Sequence, residues 1–264
     1  MQAKIDGNVI GYDTQGQGIP LVLMHAFPLH RGMFQPQLAQ LSQLARVLTF
    51  DVPGMGESAE ESMSMDSIAD LAVRLLDEQG IDKAVVGGVS MGGYAAFAFA
   101  RRHPGRLLGL ILANTKPDAD TAEAKTGRKQ MAEVAIELGA SEIAARMLPK
   151  LLGPTSLSER PHTVDLIRSM IVSANPRSIA SLLEALANRA DSTDLLGEIR
   201  VPTLVVAGAE DAIIPAAGAE QWSKQIRDST YVRIPRAGHL SNLEAPEVFN
   251  AALETFLRKV AGQR

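Results

Sequence analysis

The sequence predicts an α/β protein in which a mostly parallel β-sheet is covered by helices. Three observations predict this class: short, almost wholly apolar runs recur along the chain, segments of helical period separate them, and one long region contains helical patterns alone. Strands of this kind are buried on both faces, as in parallel sheets covered by helices. The 264 residues, 46% of them hydrophobic, are enough for one domain with an insertion.

The first elements are expected to be antiparallel strands. Residues 3–5 and 9–12 have strand character, and the turn between them contains Asp6, Gly7 and Asn8, residue types that tolerate positive φ. The predicted buried strands follow at residues 21–25, 47–51, 84–88, 107–113 and 203–208.

Helical segments alternate with these strands. Residues 66–79 place Ile68, Leu71 and Leu75 on one face, and Gly80 is a suitable C-terminal cap. The alternation implies right-handed crossovers and an open sheet whose ligands bind beyond the carboxyl ends of its strands. We therefore look for function at that edge.

One region breaks the alternation. Helical patterns alone cover residues 119–138, 141–152, 158–173 and 177–190. We interpret residues 115–195 as a helical cap insertion that rises from the strand at residues 107–113. Residues 1–114 and 196–264 then form the core domain.

Composition excludes several classes of function. A formal net charge of -4 with interspersed signs leaves no broad basic surface for nucleic acid and no polybasic stretch for lipid. The absence of cysteine excludes disulfides, thiolate chemistry and cysteine-bound zinc. No secretory signal pattern or membrane-spanning apolar run is apparent. We expect a cytoplasmic protein that acts on a small molecule, without nucleic acid, membrane, cofactor or metal; its oligomeric state is open.

The stretch VVGGVSMGGYAAFAFARR contains a GxSxG pattern centred on Ser90. The pentapeptide alone is common, but here it follows a buried strand and opens a helix. A sharp strand-to-helix turn of this kind exposes the serine hydroxyl above the sheet, and the positive end of the helix lies beneath it. Ser90 is therefore a candidate nucleophile; the alternative is a glycine-rich turn with an incidental serine.

A serine nucleophile needs a base and a carboxylate that orients this base. In this architecture the chain order is serine, acid, histidine. Asp211 follows the strand at residues 203–208, and His239 follows a later short strand. Asp211 is preferred to Glu210 because its shorter side chain suits the loop. An alternative acid position lies after the strand at residues 107–113, where Asp118 is the nearest carboxylate.

Four other histidines compete with His239 for the role of base. His103 is expected at a helix end and His162 at an exposed position, whereas His25 and His30 precede the serine. His239 is therefore the expected general base.

The motifs GGVSMGG, GAEDAIIP, AGHLSNLEAPEVF and DVPGMGES resemble those of the α/β-hydrolase superfamily, and the match extends over residues 5–257. Within it the chain is similar to small esterases and 3-oxoadipate enol-lactonases. The resemblance implies an eight-stranded, mostly parallel sheet with flanking helices and a helical cap. Dehalogenases and epoxide hydrolases of this fold carry aspartate at the position of Ser90, and hydroxynitrile lyases typically carry lysine at the position of Leu240. The resemblance therefore favours serine esterase chemistry over these three activities.

The resemblance also implies an oxyanion hole. Its donors would be the backbone N–H groups of Met91, directly after the nucleophile, and of Phe27 in the stretch HAFP. Relatives usually have glycine at the position of Ala26. We expect negative φ there, since positive φ would cost an alanine about 1–2 kcal/mol. His25 is expected to brace this loop by hydrogen bonding.

These residues predict a serine hydrolase that cleaves carboxylic esters of short to medium acyl chain through an acyl-enzyme. The runner-up is a lactonase, including 3-oxoadipate enol-lactonase. A substrate carboxylate would then require a cation, for which the insertion offers Arg128, Lys129, Arg146 and Arg168, although a solvated helix face is the simpler interpretation of each. A third possibility is a binding protein of the same fold with slow or absent hydrolysis.

Overall fold

The structure, a computed structural model, describes residues 1–263. Its strands are β1 (Gln2–Ile5), β2 (Asn8–Gln15), β3 (Ile19–Met24), β4 (Ala45–Phe50), β5 (Ala84–Val89), β6 (Leu107–Ala113), β7 (Thr203–Gly208) and β8 (Ser229–Ile234). Its helices are α1 (Gln35–Leu41), α2 (Met65–Glu78), α3 (Met91–Arg102), α4 (Ala122–Leu138), α5 (Ala140–Leu151), α6 (Pro154–Glu159), α7 (Pro161–Val172), α8 (Pro176–Ala187), α9 (Ala216–Ser223), α10 (Ser241–Glu244) and α11 (Pro246–Ala261).

The strands form one eight-stranded sheet in the order β1-β2-β4-β3-β5-β6-β7-β8. The pairs β1–β2 and β2–β4 are antiparallel, and every other pair is parallel. Strands β5 and β7 are buried along their whole length, because helices cover both faces of the sheet. The predicted fold class is confirmed.

The first antiparallel strands extend further than predicted. Strand β2 continues to Gln15 because its second half, from Tyr12 onward, pairs with β4. In this segment Tyr12, Asp13 and Thr14 are half-buried and Gln15 is exposed. The sequence lacked an apolar run there, so the strand was predicted too short.

The region between β6 and β7 contains helices α4 to α8 and no strand. Helix α4 packs on α8, and α5 packs on α7. The helix predicted over residues 158–173 is present as α7 but begins later than predicted, at Pro161, and the short helix α6, which ends at Glu159, was not predicted. Proline lacks the N–H that a continuous helix would need, and it suits the first turn of a new one. None of the helices within residues 1–263 is long and apolar enough to cross a membrane.

Candidate active site

Ser90 lies on a sharp turn between β5 and α3. Its φ of 55° and ψ of −111° are unusual for a non-glycine residue. Its N–H donates to the carbonyl oxygen of Ala113 on β6 at 2.9 Å, which fixes the turn against the sheet. A Cβ atom at Gly88 would overlap the backbone of Gly92, and one at Gly92 would overlap the carbonyl of Met24. The glycines of the motif are therefore required for the turn to close.

The side chains of Ser90, His239 and Asp211 form one hydrogen-bonded chain. The Ser90 Oγ lies 2.7 Å from His239 Nε2, and His239 Nδ1 lies 2.8 Å from Asp211 Oδ2. The side chains of His239 and Asp211 are almost fully buried, whereas Ser90 is partly exposed. A proton can pass from the hydroxyl to the imidazole at these distances.

The carboxylate of Asp211 accepts four hydrogen bonds. Its Oδ1 accepts from the backbone N–H groups of Ile213 and Ile214, both at 2.9 Å, and its Oδ2 accepts from Asn114 Nδ2 at 3.0 Å as well as from His239. Burial acts to raise the pKa of Asp211, but His239 and the N–H donors outweigh it and hold this pKa below its ordinary value. The group therefore stays ionised and can orient the imidazole.

The competing acids lie elsewhere. Glu210 turns away from His239 and binds Thr155, which donates through its N–H at 3.0 Å and its hydroxyl at 2.6 Å. Asp118 is exposed. The position directly after β6 is occupied by Asn114, which touches Asp211 but has no carboxylate to offer.

The other histidines have separate partners. His103 contacts Asp70 at 2.6 Å, His30 accepts from the N–H of Gly32, and His162 is exposed. His25 is fully buried; its Nε2 accepts from the N–H of Val52 at 2.9 Å. Burial lowers the pKa of His25 to about 4, so the ring is neutral at pH 7.

The loop after β3 places a free N–H near the carboxyl edge of the sheet. The N–H of Ala26 donates to Met33 Sδ at 3.2 Å, and the Ala26 carbonyl accepts from His25 Nδ1 at 3.0 Å and from Leu29 N–H at 2.9 Å. The N–H of Phe27 donates to no acceptor among residues 1–263. Ala26 does not have positive φ, as expected, and the Phe27–Pro28 peptide bond is cis.

A second free N–H follows the serine. Met91 is the first residue of α3, and within the described part of the chain its N–H has no acceptor. The N-terminal N–H groups of a helix are free because they lack partners in a preceding turn. Phe27, in the loop after β3, and Met91, at the start of α3 after β5, thus offer two backbone donors next to adjacent parallel strands.

Two residues of this site were not assigned a role from the sequence. Asn114 has φ of 47°, and its side chain joins three segments: Nδ2 donates to Asp211 and to the carbonyl of Gly238 at 3.1 Å, while Oδ1 accepts from Ser241 Oγ at 2.6 Å. Glu244 binds the loop that carries His239. The position of Asn114 directly after a buried strand marks it in the sequence as a candidate site residue. Its partners could not be predicted, because they lie about a hundred residues or more away in the chain.

Two of the four candidate cations in residues 115–195 are paired with carboxylates. Arg128 pairs with Asp120, and Arg146 pairs with Glu142 at 2.7 Å one helical turn away. Within residues 1–263, no group of three or more histidine, aspartate or glutamate side chains is arranged to hold a metal ion.

Comparison with known proteins identifies the family. A family model described as alpha/beta hydrolase fold matches residues 19–246. The chain therefore belongs to the α/β-hydrolase family.

The similar proteins include esterases and lactonases. A thermophilic esterase from Thermogutta terrifontis, solved with malate bound, is 39% identical, with a TM-score of 0.96 and coverage of 99% of both chains. The enol-lactonase from Burkholderia xenovorans LB400 is 28% identical, with a TM-score of 0.90 and coverage of 98% of this chain and 100% of the other. The 3-oxoadipate enol-lactonase 2 of Acinetobacter baylyi is 29% identical over 95% of this chain and 93% of its own length. These likenesses support a hydrolase activity.

Proposed function

We propose that the protein is a serine hydrolase that cleaves carboxylic esters of short to medium acyl chain. The observation that carries this proposal is the continuous hydrogen-bonded chain from Ser90 Oγ through His239 to Asp211, with spacings of 2.7 and 2.8 Å. A serine hydroxyl becomes nucleophilic when a base can take its proton, and these spacings meet that need.

The mechanism follows from the positions of these groups. His239 Nε2 takes the proton of Ser90 as Oγ attacks the ester carbonyl. The same nitrogen then gives this proton to the departing alcohol, which leaves an acyl-serine. A water that His239 deprotonates attacks the acyl-serine, and the proton returns to Ser90 as the acid leaves. Asp211 holds the imidazole tautomer and stabilises its cation.

The carbonyl oxygen gains negative charge in both tetrahedral intermediates. We infer that the free N–H groups of Phe27 and Met91 receive it, since both are preorganised donors. Removal of one such donor typically costs about 2.7–4 kcal/mol of transition-state stabilisation. The side chain of Phe27 would then line the acyl pocket.

The substrate is expected to contact residues 115–195, which we propose form a cap over the core composed of residues 1–114 and 196–264. Hydrolysis of an enol-lactone is the second candidate, favoured by the enol-lactonases among the similar proteins. Ring opening and ester cleavage use the same acyl-serine, so both reactions suit one triad. The pairing of Arg128 with Asp120 and of Arg146 with Glu142 engages two of the four candidate cations for a lactone carboxylate, and we therefore prefer the simple ester.

The test compares wild type with Ser90→Ala. Wild type should hydrolyse p-nitrophenyl acetate and butyrate, and a fluorophosphonate should label Ser90, whereas the variant should fold normally, escape labelling and lose several orders of magnitude in kcat. A panel of esters of graded acyl length together with 3-oxoadipate enol-lactone then separates esterase from lactonase. If wild type is no faster than the variant and takes no label, the protein is a binding module and the hydrolase proposal fails.

A further inference from the structure

Glu244 places a carboxylate in the interior beside the loop that carries His239. The residue is the last of the short helix α10 and is 2% exposed. Buried carboxylates are costly unless hydrogen bonds or cations compensate them. The partners of this carboxylate therefore indicate why it is placed there.

Three backbone N–H groups donate to this carboxylate. The N–H of Gly238 donates to Oε1 at 2.9 Å and that of Leu240 donates to the same oxygen at 3.1 Å. The N–H of Gly153 donates to Oε2 at 2.8 Å. One carboxylate thus holds both neighbours of His239 and, through its other oxygen, a residue of the segment between β6 and β7.

The segment around Gly153 packs tightly on this loop. The N–H of His239 donates to the carbonyl of Leu151 at 3.1 Å. A Cβ atom added at Gly238 would overlap Gly153, so the two backbones are in direct contact. We call residues 151–155 the bridging segment. The Leu151 carbonyl of this segment accepts from the N–H of His239, and the Glu244 carboxylate is the side chain that hydrogen-bonds both this segment and the two neighbours of His239.

We propose that Glu244 is a positioning residue: it fixes the main chain on both sides of His239 and thereby sets the imidazole relative to Ser90. This inference rests on the proposed function, in which His239 is the base. Displacement of a catalytic group by about 1 Å can cost roughly a hundredfold in rate. Glu244 does not touch the Ser90–His239–Asp211 chain and acts only through the loop.

Glu210 provides a matched control. It too is a glutamate that binds the bridging segment, through the N–H and hydroxyl of Thr155, but its carboxylate accepts no hydrogen bond from residues 238–240. Loss of Glu210 should loosen the bridging segment without releasing His239. Loss of Glu244 should release both.

The experiment compares Glu244→Ala, Glu244→Gln and Glu210→Gln in the full chain. A glutamine at position 244 can keep its oxygen towards Gly238 and Leu240 and turn its amide towards Gly153. Glu244→Gln should therefore stay within about threefold of the wild-type kcat while the Gly153 amide exchanges hydrogen faster. Glu244→Ala should lose about 10- to 100-fold in kcat for p-nitrophenyl butyrate with KM within about threefold. Glu210→Gln should retain kcat.

A spectroscopic measurement separates positioning from a purely structural role. The Nδ1 proton of His239 in its hydrogen bond to Asp211 should give a low-field proton resonance in wild type and in Glu244→Gln. That resonance should shift or broaden in Glu244→Ala. If Glu244→Ala fails to fold, Glu244→Asp replaces it, because the shorter side chain draws the carboxylate away from the loop; it should lose about tenfold in kcat.

The outcomes distinguish this proposal from the proposed function. If wild type hydrolyses esters and Glu244→Ala, or Glu244→Asp in its place, keeps the wild-type kcat and low-field resonance, Glu244 has no positioning role, although the esterase proposal stands. An equal loss of kcat in Glu210→Gln would also overturn the proposal, since the effect would then belong to the bridging segment alone. Absence of activity in wild type itself would instead refute the proposed function.

Discussion

Substitution of Asp211 by asparagine tests the arrangement most sharply, because four donors surround this carboxylate. The new side chain would have one accepting oxygen and one amide that donates, so two of the four donors must face the amide. If the amide faces Ile213 and Ile214, two buried backbone N–H groups lose their acceptor. Each such loss costs about 1–3 kcal/mol, or about 2–6 kcal/mol for both.

The opposite orientation of the amide destabilises the fold less but lowers kcat more. If the amide faces His239, the imidazole can switch tautomer and accept from the amide through Nδ1. Its proton then sits on Nε2, which can no longer take the proton of Ser90. We expect this orientation to prevail, and an equivalent change in a serine protease lowers kcat about 10⁴-fold. That loss corresponds to about 5 kcal/mol of activation free energy.

The assay measures kcat for p-nitrophenyl butyrate and the midpoint of thermal unfolding for wild type, Asp211→Asn and the control Asp118→Asn. The control carries the same chemical change at an exposed site and should match wild type in both quantities. A kcat for Asp211→Asn within tenfold of wild type, or a larger loss in Asp118→Asn, would refute this assignment of the acid.

Two further predictions concern the loop after β3. The pKa of His25 is about 4 in the fold against 6.5 for an ordinary histidine, so below pH 6.5 the unfolded chain takes up a proton that the folded chain does not. Between pH 7 and pH 5 this should remove about 2 kcal/mol of the free energy of unfolding, measurable by denaturant titration; an equally steep decline in His25→Gln would contradict it. Phe27→Ala keeps its backbone N–H, so kcat for p-nitrophenyl acetate should stay within about tenfold while KM for longer esters rises. A loss of about 10³-fold with acetate would show that the side chain is essential.

Much of the fold was predictable from local pattern. Strands β6 and β7 begin and end at the predicted residues, because each is a compact apolar run between polar segments. The start of α7 was predicted too early because Pro161 is compatible with any position in the first turn of a helix and does not by itself mark its first residue. Helical periodicity alone does not fix the first residue of a helix.

The candidate site was predictable where the type of a residue and its position after a strand indicate the same role. Ser90, Asp211 and His239 each follow a strand, in the chain order typical of the fold, and the structure brings them into contact. The roles of Asn114 and Glu244 depend on contacts between loops far apart in sequence. Glu244 follows a short helix and has no local pattern that distinguishes it from a surface glutamate, so only the folded chain reveals its three partners.

The positive φ of Ser90 means that the proposed nucleophile occupies an unfavourable backbone conformation for a residue with a side chain. Such a conformation costs about 1–3 kcal/mol for a residue with a Cβ atom, and glycine at this position would avoid it. If Ser90 is the nucleophile as proposed, the requirements of catalysis and of conformational stability oppose each other at position 90. Ser90→Gly relieves this strain, so its melting temperature should exceed that of wild type. Ser90→Ala keeps the strained backbone and is therefore the better inactive variant for trapping substrates or measuring melting temperatures.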